Sequence, residues 1–501
     1  MEFILIILSS FLFTVPHFYP ALFFLSWFAF IPLIYLISDY DYGHSFIIAL
    51  LIGFLNSAFS LHWIYQPLST ALKMPFSFNL FILFIYFLIS ALPLAFWVMI
   101  NKFLQPKYSY SPFIAAVSWT VLEYLRFEFF NFNPFDSFAY TQSASSLLVQ
   151  YAAYGGIFLV TFIVVLIASY LVKIYLEPDW KKALPLLLIF LILIVLPYFI
   201  QPAPSGEENS KNVDLMVVEA ATAENNFVKI EKEIEGLTDL VKDSKSQFIF
   251  IPEKSLSFDL MRNNYYRDQM FSQLENNLGD SYLQLGAQSG VEKSYNSETV
   301  NSLFLLTEKM EIIERSDKSG NIMTALKLPY LKEINSLMIE HLNFSQDLFK
   351  KSASTADIEV EDLDYINLFA EEIFIPFVLK GENRPQDKNL IVHSAAEDEI
   401  ASKVYNNFSF AAAVYRAAES NTDLIRAVRG GYSGYIDERG RVINKKQLSN
   451  NSQTINLTLS KEASYYQQHP SRIINIIIAI FIFIIIIKFI IIIKDKKSSR
   501  N

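Results

Sequence analysis

The sequence predicts a multi-pass helical membrane bundle joined to an α/β domain, and three observations predict it. Residues 1–100 hold only four charged side chains, Glu2, Asp39, Asp41 and Lys73, far below the ~25% charged residues of an ordinary soluble domain. Phe is abundant, at 45 residues of 501, and in so apolar a setting it reads as lipid-facing bulk. Beyond about residue 210, short β-branched runs alternate with helical stretches, the pattern of an α/β domain.

Taken in order, apolar runs of spanning length lie near residues 3–15, 18–38, 45–65, 78–100, 110–126, 148–175 and 183–200, and an eighth, almost pure isoleucine, at Ile473–Ile493. About 20 residues cross the ~30 Å hydrocarbon core of a bilayer at a rise of 1.5 Å each. The first run lacks a basic leading region and a small-residue cleavage site, so it reads as a retained helix rather than a signal peptide. Positive charge beside the spans sets orientation. Lys102 with Lys107, Lys173 with Lys181 and Lys182, and the tail Lys494–Arg500 all fall on one side when the chain is threaded as eight spans. That side is the cytoplasm, which leaves residues 201–470 outside. Lys488, near the inner end of the last span, can snorkel to the interface.

Charge sorts by segment. Residues 1–200 carry seven Lys/Arg against eight Asp/Glu, a balance of −1, and residues 471–501 carry six against one, a balance of +5. Subtracting both from the total of −9 leaves −13 for residues 201–470. An acidic outer domain excludes a nucleic-acid partner, because phosphate binding needs Lys and Arg. The chain has no cysteine, which excludes disulfides, thiolate metal sites, iron–sulfur clusters and a cysteine nucleophile. No cofactor or metal site is expected.

The outer domain opens with the linker Gln201-Pro202-Ala203-Pro204-Ser205-Gly206. Strands are expected at Val213–Val218, Gln247–Ile251, Tyr282–Gly286 and Val300–Thr307, with an amphipathic helix over Asn226–Lys242. The run Phe248–Ile251 then Pro252-Glu253 places a carboxylate at a strand end. Such a group can serve as a general base, although by itself it reads first as a surface acid. Lys318, in Ser316-Asp317-Lys318-Ser319-Gly320, could stabilise an oxyanion; alone, it reads as a solvated turn lysine. Arg416-Ala417-Ala418-Glu419, then Leu424–Val428, then Tyr432–Val442 reads as a helix, two strands and a turn at Asp437-Glu438-Arg439-Gly440.

This last block resembles the end of the nitrilase-type domain of apolipoprotein N-acyltransferases, and the resemblance extends across essentially the whole chain. Trp27–Leu33, His62-Trp63-Ile64 and Trp119–Arg126 are similar to the membrane half of that family. Asn133-Pro134-Phe135 resembles its Phe-Pro-Trp loop, and Tyr154-Gly155-Gly156 its following helix start. The resemblance implies a bacterial inner-membrane protein of a diderm, with seven spans over residues 1–203, a periplasmic nitrilase-like αββα sandwich over 204–470, and a last helix with a basic tail over 471–501. It also implies a Glu–Lys–Cys triad, in which cysteine accepts an acyl chain from a phospholipid and passes it to a lipoprotein amine. Pro252-Glu253 matches the base, Asp317-Lys318-Ser319 the lysine motif, Asn301–Phe304 the strand before it, and Leu328-Pro329-Tyr330 the segment after it.

The match fails where the chemistry should be. The family's Cys-Tyr-Glu falls on Phe369-Ala370-Glu371, so Phe369 takes the nucleophile's position, give or take one residue. A second glutamate falls on Leu326, the Asn-Asp-x-Trp loop on Glu397-Asp398-Glu399-Ile400, and a late asparagine on Arg429. Four departures argue for lost selection on acyl transfer. Glu253 and Lys318 would then survive as a residual ion pair. Glu371, Glu372 and Ser394 are the candidates for a replacement nucleophile, but His393 and Ser394 as strand neighbours point to opposite faces. The expectation is an inactive relative that binds membrane phospholipid, lipoprotein or another envelope membrane protein. The alternatives are an active N-acyltransferase with an unconventional nucleophile, and a structural subunit of an envelope machine.

Overall fold

A backbone shielded from water must satisfy its own hydrogen bonds, and every apolar run of the first 200 residues is helical in the computed structural model. The structure describes residues 2–72, 75–105, 110–128, 133–200, 210–219, 225–290, 299–318, 357–361, 363–375, 389–459 and 463–498. Lys73, Lys107, the linker 201–206, Ser319, Gly320, Leu326 and Leu328–Tyr330 lie outside them. The chain divides into two compact units: residues through Pro202 group with those from Ser464 onward, and the second unit is drawn from Ala203–Thr324 and Ser345–Ala463.

The first unit runs through α1 (Glu2–Phe18), a 3-10 segment (Pro20–Phe28) leading into α2 (Phe30–Ile37), then α3 (Tyr42–Ser60), α4 (Tyr65–Leu72), α5 (Phe76–Leu104), α6 (Pro112–Glu128), the short α7 (Ser146–Val149), α8 (Ala152–Leu176) and α9 (Trp180–Ile200). Its core is aromatic. Phe30 meets Trp97 at 4.7 Å between ring centroids and Trp119 at 5.5 Å, and Phe138 closes on Trp119 at 5.7 Å. Buried charge is neutralised locally, as a low-dielectric bundle requires. Arg126 pairs with Asp136 at 2.7 Å, and Glu123 accepts from the Phe138 N–H, the Trp119 indole and the Ser137 hydroxyl. These groups line a cavity of about 60 Å³ with His17, Asn56 and Ser90. Lys102, read from the sequence as a flanking charge, donates to the Ile37 and Tyr40 carbonyls past the end of α2, where a cation suits the helix dipole. Tyr154-Gly155-Gly156, expected as a helix start, stands at one: Gly155 and Gly156 leave the helical backbone within α8, Gly156 at φ +62°, and a continuous helix follows them.

The second unit is two six-stranded sheets. The first has the order β12-β1-β2-β3-β4-β5 and the second β11-β10-β9-β8-β7-β6. The strands are β1 (Ser210–Val217), β2 (Phe248–Phe250), β3 (Tyr282–Gly290), β4 (Thr299–Leu306), β5 (Ile312–Asp317), β6 (Asp357–Val360), β7 (Leu363–Phe369), β8 (Leu390–Ala396), β9 (Asp423–Arg429), β10 (Ser433–Ile436), β11 (Val442–Lys446) and β12 (Asn451–Thr458). Within each sheet the central strands β1-β2-β3 and β7-β8-β9 are parallel. Val213, Leu215 and Phe250 from one sheet and Tyr365, Val392 and Ile425 from the other share one buried cluster, so the sheets face each other. Over the outer face of the first sheet pack α10 (Asn226–Lys242) and α11 (Asn264–Glu275), through Ile234, Leu237 and Met270 against Ile249 and Leu283. The almost wholly buried α12 (Lys403–Ser420) contacts β9 and β10 of the second sheet. The layers are therefore α, β, β, α.

The chain returns to the first unit through α13 (Tyr465–Gln468) and α14 (Arg472–Ser498). Only Ile474 and Ile477 of α14 are buried. A helix apolar on all sides that meets α6 and α8 yet keeps most of its surface bare is built for lipid. Among the described residues, five segments are long and apolar enough to cross a membrane: Pro20–Ile37, Tyr42–Ser60, Phe76–Leu104, Ala152–Leu176 and Arg472–Ser498; Glu2–Phe18 and Ala183–Leu196 are shorter apolar helices.

Candidate active site

Parallel strands align their carboxyl ends, and clefts form where the chain leaves them. Glu253 follows β2, Ala370 follows β7, Glu397 follows β8 and Arg429 ends β9. The tight passage of Pro252-Glu253 needs Gly286 on β3, because a Cβ there would stand 2.3 Å from both the Glu253 Cα and the Pro252 carbonyl oxygen.

The two predicted site residues meet. Lys318, just past β5, donates to Glu253 Oε1 at 3.2 Å, and its ammonium also reaches Glu371 Oε2 at 3.1 Å. Glu253 is 1% exposed, and its second carboxylate oxygen has no hydrogen-bond partner among the described residues. Burial pushes the Glu253 carboxyl above the ordinary range, with Lys318 opposing and Glu371 reinforcing the rise. Burial works to lower the Lys318 ammonium, but the two carboxylates outweigh it and hold it charged, above its ordinary value. The cluster is thus one fixed cation between two acids, one of which is a weakened acid poised to exchange a proton.

Phe369, the expected nucleophile position, is ordinary extended backbone at φ −93° and ψ 134°, and its side chain is buried. The strained residue is the next one. Ala370 has φ +29°, a conformation that a residue with a Cβ keeps only when its surroundings impose it. Three contacts do so. The Phe369 N–H donates to Glu372 at 2.9 Å, the His393 Nε2–H donates to the Ala370 carbonyl at 2.9 Å, and the Arg416 guanidinium donates to the Ile375 carbonyl at 2.6 Å. Burial, helped by Arg426, drives the His393 pKa well below normal, so the ring is neutral.

Ser394 was a candidate nucleophile. Its hydroxyl instead accepts the Glu253 N–H at 2.7 Å and is fully buried, so it positions the base. As the strand alternation requires, His393 and Ser394 act in different directions. Sequence reasoning did not foresee these two contacts, because only the strand register brings Ser394 to Glu253 and His393 to Ala370. The substituted loop residues arrive with partners. Arg429 donates to Asp398 at 2.9 Å and to the Lys254 carbonyl at 2.6 Å, Lys254 pairs with Glu399 at 2.7 Å, and Arg426 pairs with Glu397 at 2.9 Å. These bonds tie down the segment that carries Glu253.

Comparison with known proteins bears on both units. The family model for the apolipoprotein N-acyltransferase N-terminal domain matches residues 9–170. An apolipoprotein N-acyltransferase of Rickettsia typhi is 22% identical over 473 residues, 89% of each chain. Over nearly its whole length the chain is therefore similar to an apolipoprotein N-acyltransferase. A member from Rhizobium rhizogenes is 28% identical over 206 residues, a match that spans 40% of this chain and 37% of that protein. Among solved structures, a CN-hydrolase superfamily protein of Xanthomonas campestris overlaps 52% of this chain and 96% of its own, at 12% identity and a TM-score of 0.37. A nitrilase-superfamily amidase of Nesterenkonia overlaps 55% and 98%, at 13% identity and 0.35. The two-sheet architecture rests on the strand register rather than on these overlaps.

Proposed function

We propose that the protein is a catalytically inactive relative of the apolipoprotein N-acyltransferases. It would be an eight-span inner-membrane protein whose periplasmic domain binds phospholipid, lipoprotein or an envelope membrane protein through the retained cleft. One observation carries the reading: Glu253, Lys318 and Glu371 assemble as a charged cluster at 3.1–3.2 Å in a chain that has no cysteine anywhere. A base and a cation without a thiol hold a ligand but form no thioester. The replacement candidates are engaged elsewhere, Ser394 with the Glu253 backbone and Glu371 with Lys318. The paired loop residues around Arg429 support a binding role, since they keep the cleft ordered.

The test is direct. The purified full-length protein, incubated with phospholipid and a diacylated lipopeptide, forms no N-acylated peptide above a Glu253→Ala control. Product above that control overturns the proposal. In the same preparation, lipid or lipoprotein carried through purification from native membranes is identified by mass spectrometry, and Lys318→Ala lowers its yield.

A further inference from the structure

We propose that Lys445 on β11 is a modification site, whose side-chain amine takes an acyl group from an acyl thioester and becomes an N-acyl-lysine. Geometry singles it out. The residue is exposed, yet its ammonium lies against aromatic rings: Nζ stands 4.0 Å from the ring centroid of Tyr432 and 4.3 Å from that of Phe410 on α12. The two rings meet edge to face at 6.2 Å. A second cation uses the same corner, since the Arg426 guanidinium lies 5.4 Å from the Phe410 centroid. The strand register explains the meeting. Gly434 on β10 pairs with Lys445 on one side and with Arg426 of β9 on the other, so no side chain stands between the two cations in that row. Arg426 has its counter-charge in Glu397, at 2.9 Å. Among the described residues, no carboxylate forms an ion pair with Lys445.

An amine so placed gives up its proton more readily than a solvated one. Ring faces attract the cation, but lost water and a neighbouring like charge disfavour it. Burial of the ammonium, with Arg426 adding to it and Glu397 opposing, lowers Lys445 from 10.5 to about 8. Near neutral pH part of the population is then the free amine, the form that attacks carbonyl carbon. The Nζ lone pair forms the N–C bond to the thioester carbonyl. The C–S bond breaks, the thiolate leaves with the electron pair, and the proton released from nitrogen goes to water. The product is a neutral amide, so acylation removes one of the two cations that share Phe410. Nothing in this step draws on the Glu253 cleft.

The experiment incubates the full-length protein in detergent with S-octanoyl-N-acetylcysteamine and follows each lysine by peptide mass mapping across a pH series. At about pH 7.5, Lys445 is expected to be acylated at least about tenfold faster than Lys446, its exposed neighbour on the same strand, because the gain in neutral amine outweighs the lower nucleophilicity of a weaker base. The rate at Lys445 is expected to level off above about pH 8. Equal rates at the two lysines, or a rate at Lys445 that still climbs at about pH 10, overturns the proposal. Tyr432→Ser returns water to the ammonium and slows acylation of Lys445 at neutral pH; an unchanged or faster rate in a variant that melts like the wild type also overturns it. Should Tyr432→Ser fail to fold, the wild-type comparison of Lys445 with Lys446 decides.

Discussion

Among the second unit's carboxylates, burial decides behaviour more than charge partners do. Glu253 keeps a cation at 3.2 Å yet is still raised. Asp423 goes further. Its side chain is fully buried and accepts the Tyr435 hydroxyl at 2.9 Å, and burial, with Glu438 adding to it, raises the carboxyl to about 8 from 3.8. A raised carboxyl holds its proton in the folded state after the unfolded chain has lost it. Its contribution to stability is therefore complete near pH 4, is lost as pH rises through the window to about 8, and levels off above that. Asp423→Asn keeps an acceptor for Tyr435 and carries no charge. Melting curves of the two proteins should therefore diverge steadily between pH 4 and 8 in favour of the variant. A gap that stays constant with pH contradicts the assignment.

At the scale of elements, the site is a set of strand exits locked to each other. The segment after β2 leans on β3 through Ile251 N–H to the Gln284 carbonyl at 2.9 Å and Leu256 N–H to the Gly286 carbonyl at 3.1 Å. It is pinned from the second sheet by Ser394 and Arg429. Gly286→Ala places a methyl where the Glu253 backbone now runs, and such overpacking costs about 1–3 kcal/mol. Hydrogen exchange at the amides of 251–256 should speed up at least tenfold while those of β9 stay protected. Unchanged exchange would mean that the segment is held from the second sheet alone. The exposed Lys254–Glu399 pair adds little energy. Arg429 is the stronger strut, because it is only 6% exposed and bridges Asp398 and a carbonyl. The departures from the family motif at 397 and 429 are thus each paired, Glu397 with Arg426 and Arg429 with Asp398.

For the molecule as a whole, the segregation of charge makes orientation testable. A chain without cysteine needs no background removed before single cysteines are placed. Lys446→Cys on the exposed β11, and Ser498→Cys at the end of α14, should label oppositely. An impermeant maleimide applied to cells with a permeabilised outer membrane reaches residue 446, and reaches residue 498 only once the inner membrane is opened. The reverse pattern would overturn the proposed eight-span topology, which the positive clusters at Lys102, Lys181–Lys182 and Lys494–Arg500 predict.

Much of this was legible in the residues. Hydropathy fixed where helices form in the first 200 residues, since lipid admits no other backbone there. The α10 boundaries, Asn226–Lys242, coincide with the amphipathic run, because a 3.6-residue period and an Asn225 cap are local signals. Motif order was enough to bring Glu253 and Lys318 together, 65 residues apart. What the order of residues could not determine was the third charge, Glu371, the strain at Ala370 instead of Phe369, and the posts held by Ser394 and His393. Those depend on which strand ends become neighbours and which way a corner turns. Local sequence sets propensities along the chain, whereas a backbone forced to φ +29° and a hydroxyl aimed at a residue 141 positions away exist only once the sheets have paired.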